Sequence, residues 1–160
     1  MPRRLQISVV GGARGEGDAL ADAEEVGRRI AEADAVLVCG GRTGVMEAAS
    51  RGASDAGGTV IGVLPTTDFA EANPYVTHVI ATGIGQARNL AVVGSGDAVI
   101  AIGGEWGTLS EIAFARRLGR PVIALRSWQL RNREGTDVGI VEAETPAEAV
   151  DQALAAANRR

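Results

Sequence analysis

The sequence predicts a doubly wound α/β protein: a mainly parallel sheet with helices on both faces. Three observations predict it. First, apolar runs such as Ala35–Cys39, Thr59–Leu64 and Ala98–Ile102 are nearly continuous, as strands covered on both faces require. Second, these runs alternate with stretches of helical apolar spacing. Third, glycine loops follow Val10, Cys39 and Ile102, and sheets of this kind bind ligands beyond the carboxyl ends of their strands. The crossovers are expected to be right-handed. Residues 1–160 are read as a single domain, long enough to bury a core.

In chain order, Leu5–Val10 reads as a first strand leading into a Gly11–Gly17 loop. Ala23, Val26, Ile30 and Ala33 then fall on one helical face. Ala35–Cys39 is a second strand, followed by the loop Gly40-Gly41-Arg42-Thr43-Gly44. Val45–Ala56 is a helix closed by Gly57-Gly58. Thr59–Leu64 is a third strand stopped by Pro65, and Thr66–Tyr75 a loop, since Pro74 and small polar residues break both periods. Val76–Ile80 is a fourth strand, with the lone His78 as an alternating strand residue, and Gly85–Val93 a helix. Ala98–Ile102 is a strand, Thr108–Leu118 a helix and Pro121–Leu125 a strand. Arg126–Thr136 is a loop or flap, and Gly139–Val141 a short edge strand. Ala147, Val150, Leu154 and Ala157 mark the apolar face of a last helix.

The stretch Ile102-Gly103-Gly104-Glu105-Trp106-Gly107-Thr108 is a strand end, a glycine turn and a helix start. Free amides and the helix dipole make such a junction favour anions. Glycines let the backbone close on a phosphate. Thr108-Leu-Ser-Glu111 also has the spacing of a capping box, as does Thr145-Pro-Ala-Glu148. For Glu111, capping and a functional role therefore both stand on spacing alone. Gly12-Ala-Arg-Gly15 fails the G-x-G-x-x-G spacing of a dinucleotide site.

Composition excludes several classes. The net charge of −4 and 3% aromatic residues argue against a nucleic acid polymer as partner. No apolar stretch approaches a membrane span, and the start has no apolar signal core, so a cytoplasmic location is expected. Cys39 alone cannot form an intramolecular disulfide or a cysteine metal cluster, and it reads as a buried structural thiol. All 16 basic residues are arginine, which rules out Schiff-base chemistry and the lysine of a Walker A loop. With one histidine, no metal site is expected.

Gly40-Gly41-Arg-Thr-Gly44-Val-Met46-Glu, Ala87-Arg88-Asn89 and Gly103–Glu111 together resemble the LOG (LONELY GUY) superfamily, once mislabelled lysine decarboxylases. The resemblance spans Ile7 to about Leu125 and is nearer to the branch of molybdenum-cofactor carrier proteins. It implies a Rossmann-like fold and a homo-oligomer, a dimer or tetramer. Catalytic members hydrolyse the N-glycosidic bond of nucleoside 5′-monophosphates with an arginine and a glutamate, which fall here on Arg88 and Glu111. Their motif Pro-Gly-Gly-x-Gly-Thr-x-x-Glu meets Gly103 at its proline and Glu105 at its second glycine, and the lysine after the arginine is Asn89. The carrier branch pattern Ile-Gly-Gly-Gly-x-Gly-Thr-Leu-Ser-Glu departs from Ile102–Glu111 only at Glu105.

Two readings follow. In the first, the chain binds or carries a phosphorylated small molecule, a molybdenum cofactor or a nucleotide, as ligand, and requires no cofactor of its own. Gly11, Gly12, Gly41, Thr43, Gly44, Gly103, Gly104, Glu105, Gly107 and Thr108 would line the site, with Arg88 pairing with phosphate and Glu111 capping or accepting a ligand hydroxyl. In the second, the chain is a phosphoribohydrolase in which Glu111 stabilises the positive charge developing on the sugar. Gly103, Glu105 and Asn89 favour the first.

Overall fold

A computed structural model describes residues 3–15 and 17–159; Glu16 of the first glycine loop, Met1, Pro2 and Arg160 lie outside the described residues. The elements run β1 (Gln6–Gly11), α1 (Asp18–Glu32), β2 (Val36–Cys39), α2 (Val45–Asp55), β3 (Val60–Leu64) and β4 (His78–Ala81). They continue with α3 (Arg88–Ser95), β5 (Ala98–Ile102), α4 (Trp106–Arg117), β6 (Val122–Leu125), β7 (Ile140–Ala143) and α5 (Pro146–Ala157).

The seven strands form one sheet in the order β4-β3-β2-β1-β5-β6-β7. Each neighbouring pair is parallel. The fold is thus the predicted Rossmann-like α/β sandwich. From β1 the chain winds outward to β4, then returns to lay β5 on the other side of β1. That reversal opens a crevice at the carboxyl ends of β1 and β5, where open α/β sheets place their ligands.

Alternation within the central strands assigns the two faces. Ile7, Val9, Leu37 and Ile100 pack under α1, α2 and α5 through Val26, Ile30, Ala49 and Val150. Val10, Val38, Val99 and Ala101 face α3 and α4 through Val92, Val93, Ile112 and Ala115. Ser8 lies among these buried side chains and satisfies its hydroxyl by donating to the Val92 carbonyl (2.6 Å), which ties α3 to β1. α1 and α2 touch backbone to backbone. A Cβ on Gly27 would fall 2.0 Å from the Ala49 carbonyl oxygen, and one on Gly52 1.9 Å from that of Glu24.

Two parallel crossovers carry no α-helix, in keeping with the loops expected at Thr66–Tyr75 and Arg126–Thr136: β3 reaches β4 through a loop holding one 3-10 turn (Phe69–Glu71), and β6 reaches β7 through the irregular 126–139 segment. Other details differ from the sequence reading. The Gly85–Val93 helix is split into a 3-10 turn over Gly85–Ala87, which Gly85 opens at φ +62°, and α3, which runs on to Ser95. Ala33 is exposed beyond the end of α1. The buried face of α5 is Ala149, Val150, Ala153 and Ala157, with Ala147 and Leu154 only half-buried at its border.

The two capping boxes part company. Thr145 does cap α5, accepting from the Glu148 amide at 3.2 Å, while Glu148 accepts from the Glu144 amide. Thr108-Leu-Ser-Glu111 caps nothing, since α4 already begins at Trp106. Gly103, at φ +69°, completes the turn early, and extended Glu105 becomes the residue that precedes the helix. The capping role expected as one option for Glu111 is therefore withdrawn.

Candidate functional site

Parallel strands deliver the three glycine loops to one edge, and the first two are hydrogen-bonded to one another. The Val45 amide donates to the Gly12 carbonyl (3.0 Å), and the Thr43 hydroxyl donates to the Ala13 carbonyl (3.0 Å). Gly44 makes this approach feasible: at φ +67°, a Cβ there would lie 2.3 Å from the Gly12 oxygen. Gly11 is equally constrained, its missing Cβ lying 2.5 Å from Val45 and 2.7 Å from the Ile102 carbonyl. Gly41 turns the second loop at φ +74° and accepts from the Asn73 amide at 2.8 Å. Asn73 donates a further bond to the Arg42 carbonyl, so it holds that loop from the β3–β4 connection. Its role was invisible in the sequence because the partner is a backbone group 31 residues away.

Between the first and third loops lies a cleft of about 360 Å³ bordered by Gly12, Arg14, Gly15, Gly103, Gly104 and Glu105. Glu105 reaches across it, with Oε1 2.3 Å from where a Gly12 Cβ would stand. Its carboxylate thus leans into the glycine cradle and does not turn away. Among the described residues that border the cleft, the other charge is Arg14, which the sequence reading did not single out although it directly follows Gly12-Ala13.

A second, deeper group sits where α3 and α4 begin. Arg88, the first residue of α3, is only 6% exposed, and Glu111, in the second turn of α4, 8%. The Arg88 guanidinium lies on the backbone of Gly40, where a Cβ would come within 2.9 Å of Nη2. Its Nη1 donates to Asn89 Oδ1, while Nε has no partner. Burial and the nearby Arg42 weaken its hold on the proton, and Glu111 works in the opposite direction. Burial also lifts the Glu111 carboxyl to about 7 against the pull of Arg88. Thr108, 2% exposed in the first turn of α4, has an unpartnered hydroxyl.

The structure therefore brings Arg88, Glu111 and Thr108 to the edge that carries Gly11, Gly12, Gly41, Thr43, Gly44, Gly103, Gly104, Glu105 and Gly107. Cys39 is wholly buried between Ser50 Oγ and the Gly41 amide, each 3.4 Å from its sulfur. Desolvation raises its thiol pKa, the mark of a structural cysteine. His78 is an exposed residue of β4. Among the described residues no three His, Cys, Asp or Glu side chains gather into a metal-binding group. No helix described is long and apolar enough to cross a membrane.

Fold and loops together define a Rossmann-like protein with a polar, glycine-lined cradle at the sheet's switch point. The chain belongs to the SLOG cluster4 family, whose model matches residues 4–152. It is 39% identical over 155 residues to an uncharacterized protein of Archaeoglobus fulgidus, covering 94% of this chain and 95% of the other. Among solved structures it is similar to the molybdenum cofactor binding protein from Rippkaea orientalis, with TM-score 0.88, 36% identity, and 96% and 97% of the two chains covered. It is also similar to the Moco carrier protein from Chlamydomonas reinhardtii, with TM-score 0.87, 32% identity, and 99% and 100% covered.

Proposed function

We propose that this chain is a binding or carrier protein for a phosphorylated small molecule, of molybdenum-cofactor or nucleotide type, and that it stands with the carrier-like branch of its family. The observation that carries this reading is Arg88. A buried guanidinium with an idle Nε and no carboxylate oxygen within 4.0 Å, among the described residues, is a charge that Glu111 offsets only from a distance and that an oxyanion would neutralise. The names of the Rippkaea and Chlamydomonas structures support the same class of ligand.

The donors assembled here fit the oxyanions of such a ligand. Arg88 Nε and the Thr108 hydroxyl are both buried and without partners. The first amides of α4 add donors at its positive end. Gly12, Gly103 and Gly104, which border the cleft, would supply the surface that lets a phosphate approach, with Gly107 beyond them, while Gly11, Gly41, Thr43 and Gly44 would hold the loops in place through their close packing and the Thr43 bond. Arg88 would anchor the anion and Thr108 orient it.

Glu111 favours a second reading. A carboxyl raised to about 7 beside an arginine is poised to exchange a proton near neutrality, as a phosphoribohydrolase would need. Release of free base from a panel of nucleoside 5′-monophosphates separates the two readings. The carrier reading predicts no release, together with a retained anion in native mass spectra of freshly purified protein. Release that disappears in Glu111→Gln would establish the hydrolase instead.

A further inference from the structure

We infer that the groove at the amino edge of the sheet, between β7 and the end of α5, is a second small-molecule site that takes an apolar α-amino acid. The groove lies at the opposite end of the strands from the glycine loops, so it stands whether or not the cradle binds an anion.

Its volume is about 340 Å³, within the usual range for small-molecule sites. Pro121, Val122, Val141 and Ala156 give it an apolar floor. Val141 is 48% exposed there, an apolar side chain on the edge strand of the sheet. Arg116 borders the groove and is pinned in place. Its Nε donates to the Val138 carbonyl (3.2 Å), and Nη1 more weakly to the Arg120 carbonyl (3.5 Å). The guanidinium lies against Gly139, where a Cβ would come within 2.5 Å of Nη2. Among the described residues Arg116 has no carboxylate oxygen within 4.0 Å, and Nη2 donates to nothing. An arginine held by backbone carbonyls with a donor to spare is an anchor for a carboxylate.

Gln152 of α5 borders the same groove and has the opposite need. Its Nε2 donates to Glu148 Oε1 (3.0 Å), and because a carboxylate only accepts, this bond fixes which end of the amide is oxygen. The remaining atom, Oε1, is buried and accepts nothing, a cost that a ligand N–H would remove. The local field points to the same chemistry. α4 ends at Arg117 and α5 at Ala157, and residues around both ends line the groove. The negative ends of two helix dipoles disfavour a phosphate dianion and favour an ammonium group. An apolar α-amino acid meets all three demands: carboxylate on Arg116, ammonium beside Gln152, side chain on the apolar floor.

The test is calorimetric titration of wild type with L-leucine, L-phenylalanine, L-leucinamide, which lacks the carboxylate, and isocaproate, which lacks the ammonium. At least one of the two amino acids should bind, and L-leucine should bind about ten-fold more tightly than L-leucinamide or isocaproate. Arg116→Gln, with its fold checked by circular dichroism, should weaken L-leucine about ten-fold and leave L-leucinamide unchanged. Gln152→Leu should erase the preference for L-leucine over isocaproate. Binding of neither amino acid to wild type would overturn the proposal. Equal affinities for L-leucine, L-leucinamide and isocaproate would also overturn it, since they would reduce the groove to an unselective apolar surface. A dimer in sedimentation that Val141→Glu disperses, with no amino acid bound, would give the groove to a second copy of the chain instead.

Discussion

Arg88, at the start of α3, and Glu111, in the second turn of α4, are both nearly buried and feel each other's charge, yet they come no closer than 4.0 Å and form no contact ion pair. A contact ion pair would have given a quiet structural bridge. Here the carboxyl is lifted to about 7 and the guanidinium keeps an idle Nε. On the function proposed above, both groups are held for a ligand.

This arrangement sets a pH dependence. The folded Glu111 pKa is raised from 4.5 to about 7, so the folded state binds more protons than the unfolded chain between those values. The stability that the neutral carboxyl confers is fully present below 4.5 and is lost as pH rises through about 7. Thermal denaturation scans across that window should show wild type losing stability, with Glu111→Gln flatter and more stable at the alkaline end. Parallel curves for the two proteins would contradict the raised carboxyl.

Glu105 leans over Gly12 in the cradle, where its charge opposes an incoming phosphate. At an effective dielectric of ~20, like charges ~4 Å apart repel by about 4 kcal/mol, and solvent screening of this exposed side chain leaves a fraction of that. Glu105→Gly should therefore tighten phosphate binding about ten-fold. Unchanged affinity by calorimetry would mean that the carboxylate swings clear at no cost.

Gly27 and Gly52 let α1 and α2 touch through their backbones. Alanine at either position must push the helices apart, at a cost of roughly 2–3 kcal/mol. For a chain of this length that is a fall in melting temperature of about 5–10 °C. Ligand affinity measured well below the transition should be unaltered. A melting temperature equal to wild type would show that the pair has room to spare.

Cys39 is wholly buried and its thiol pKa is raised by desolvation. It should resist a thiol reagent in the folded protein and react promptly after denaturation. Fast labelling of the native protein would place it in an open environment and change the account of the β2 end.

The sequence made the strands and glycine loops legible because buried parallel strands are written as unbroken apolar runs. Ala98–Ile102 matches β5 residue for residue. Arg88 and Glu111 were legible as a pair only through the resemblance to a family, since nothing local links residues on separate helices. The Thr108–Glu111 spacing misled, because the turn at Gly103, a glycine at positive φ, lets α4 start three residues earlier than the capping pattern implied. The orientation of Glu105, the bracing of the third glycine loop by Trp128, whose Nε1 donates to the Glu105 carbonyl, and the anchoring by Asn73 depend on contacts between distant segments. Helix packing through Gly27 and Gly52 was hidden for a simpler reason: inside a helix, a glycine is an absence in the apolar pattern.

The most direct test is calorimetric titration of wild type and Arg88→Ala with AMP and with inorganic pyrophosphate, with circular dichroism confirming that both proteins are folded. The account predicts binding to wild type and a loss of at least about thirty-fold in the variant, the scale expected when a buried charge partner is removed. Equal affinities would take Arg88 out of the site and remove the basis for reading it as an anion cradle.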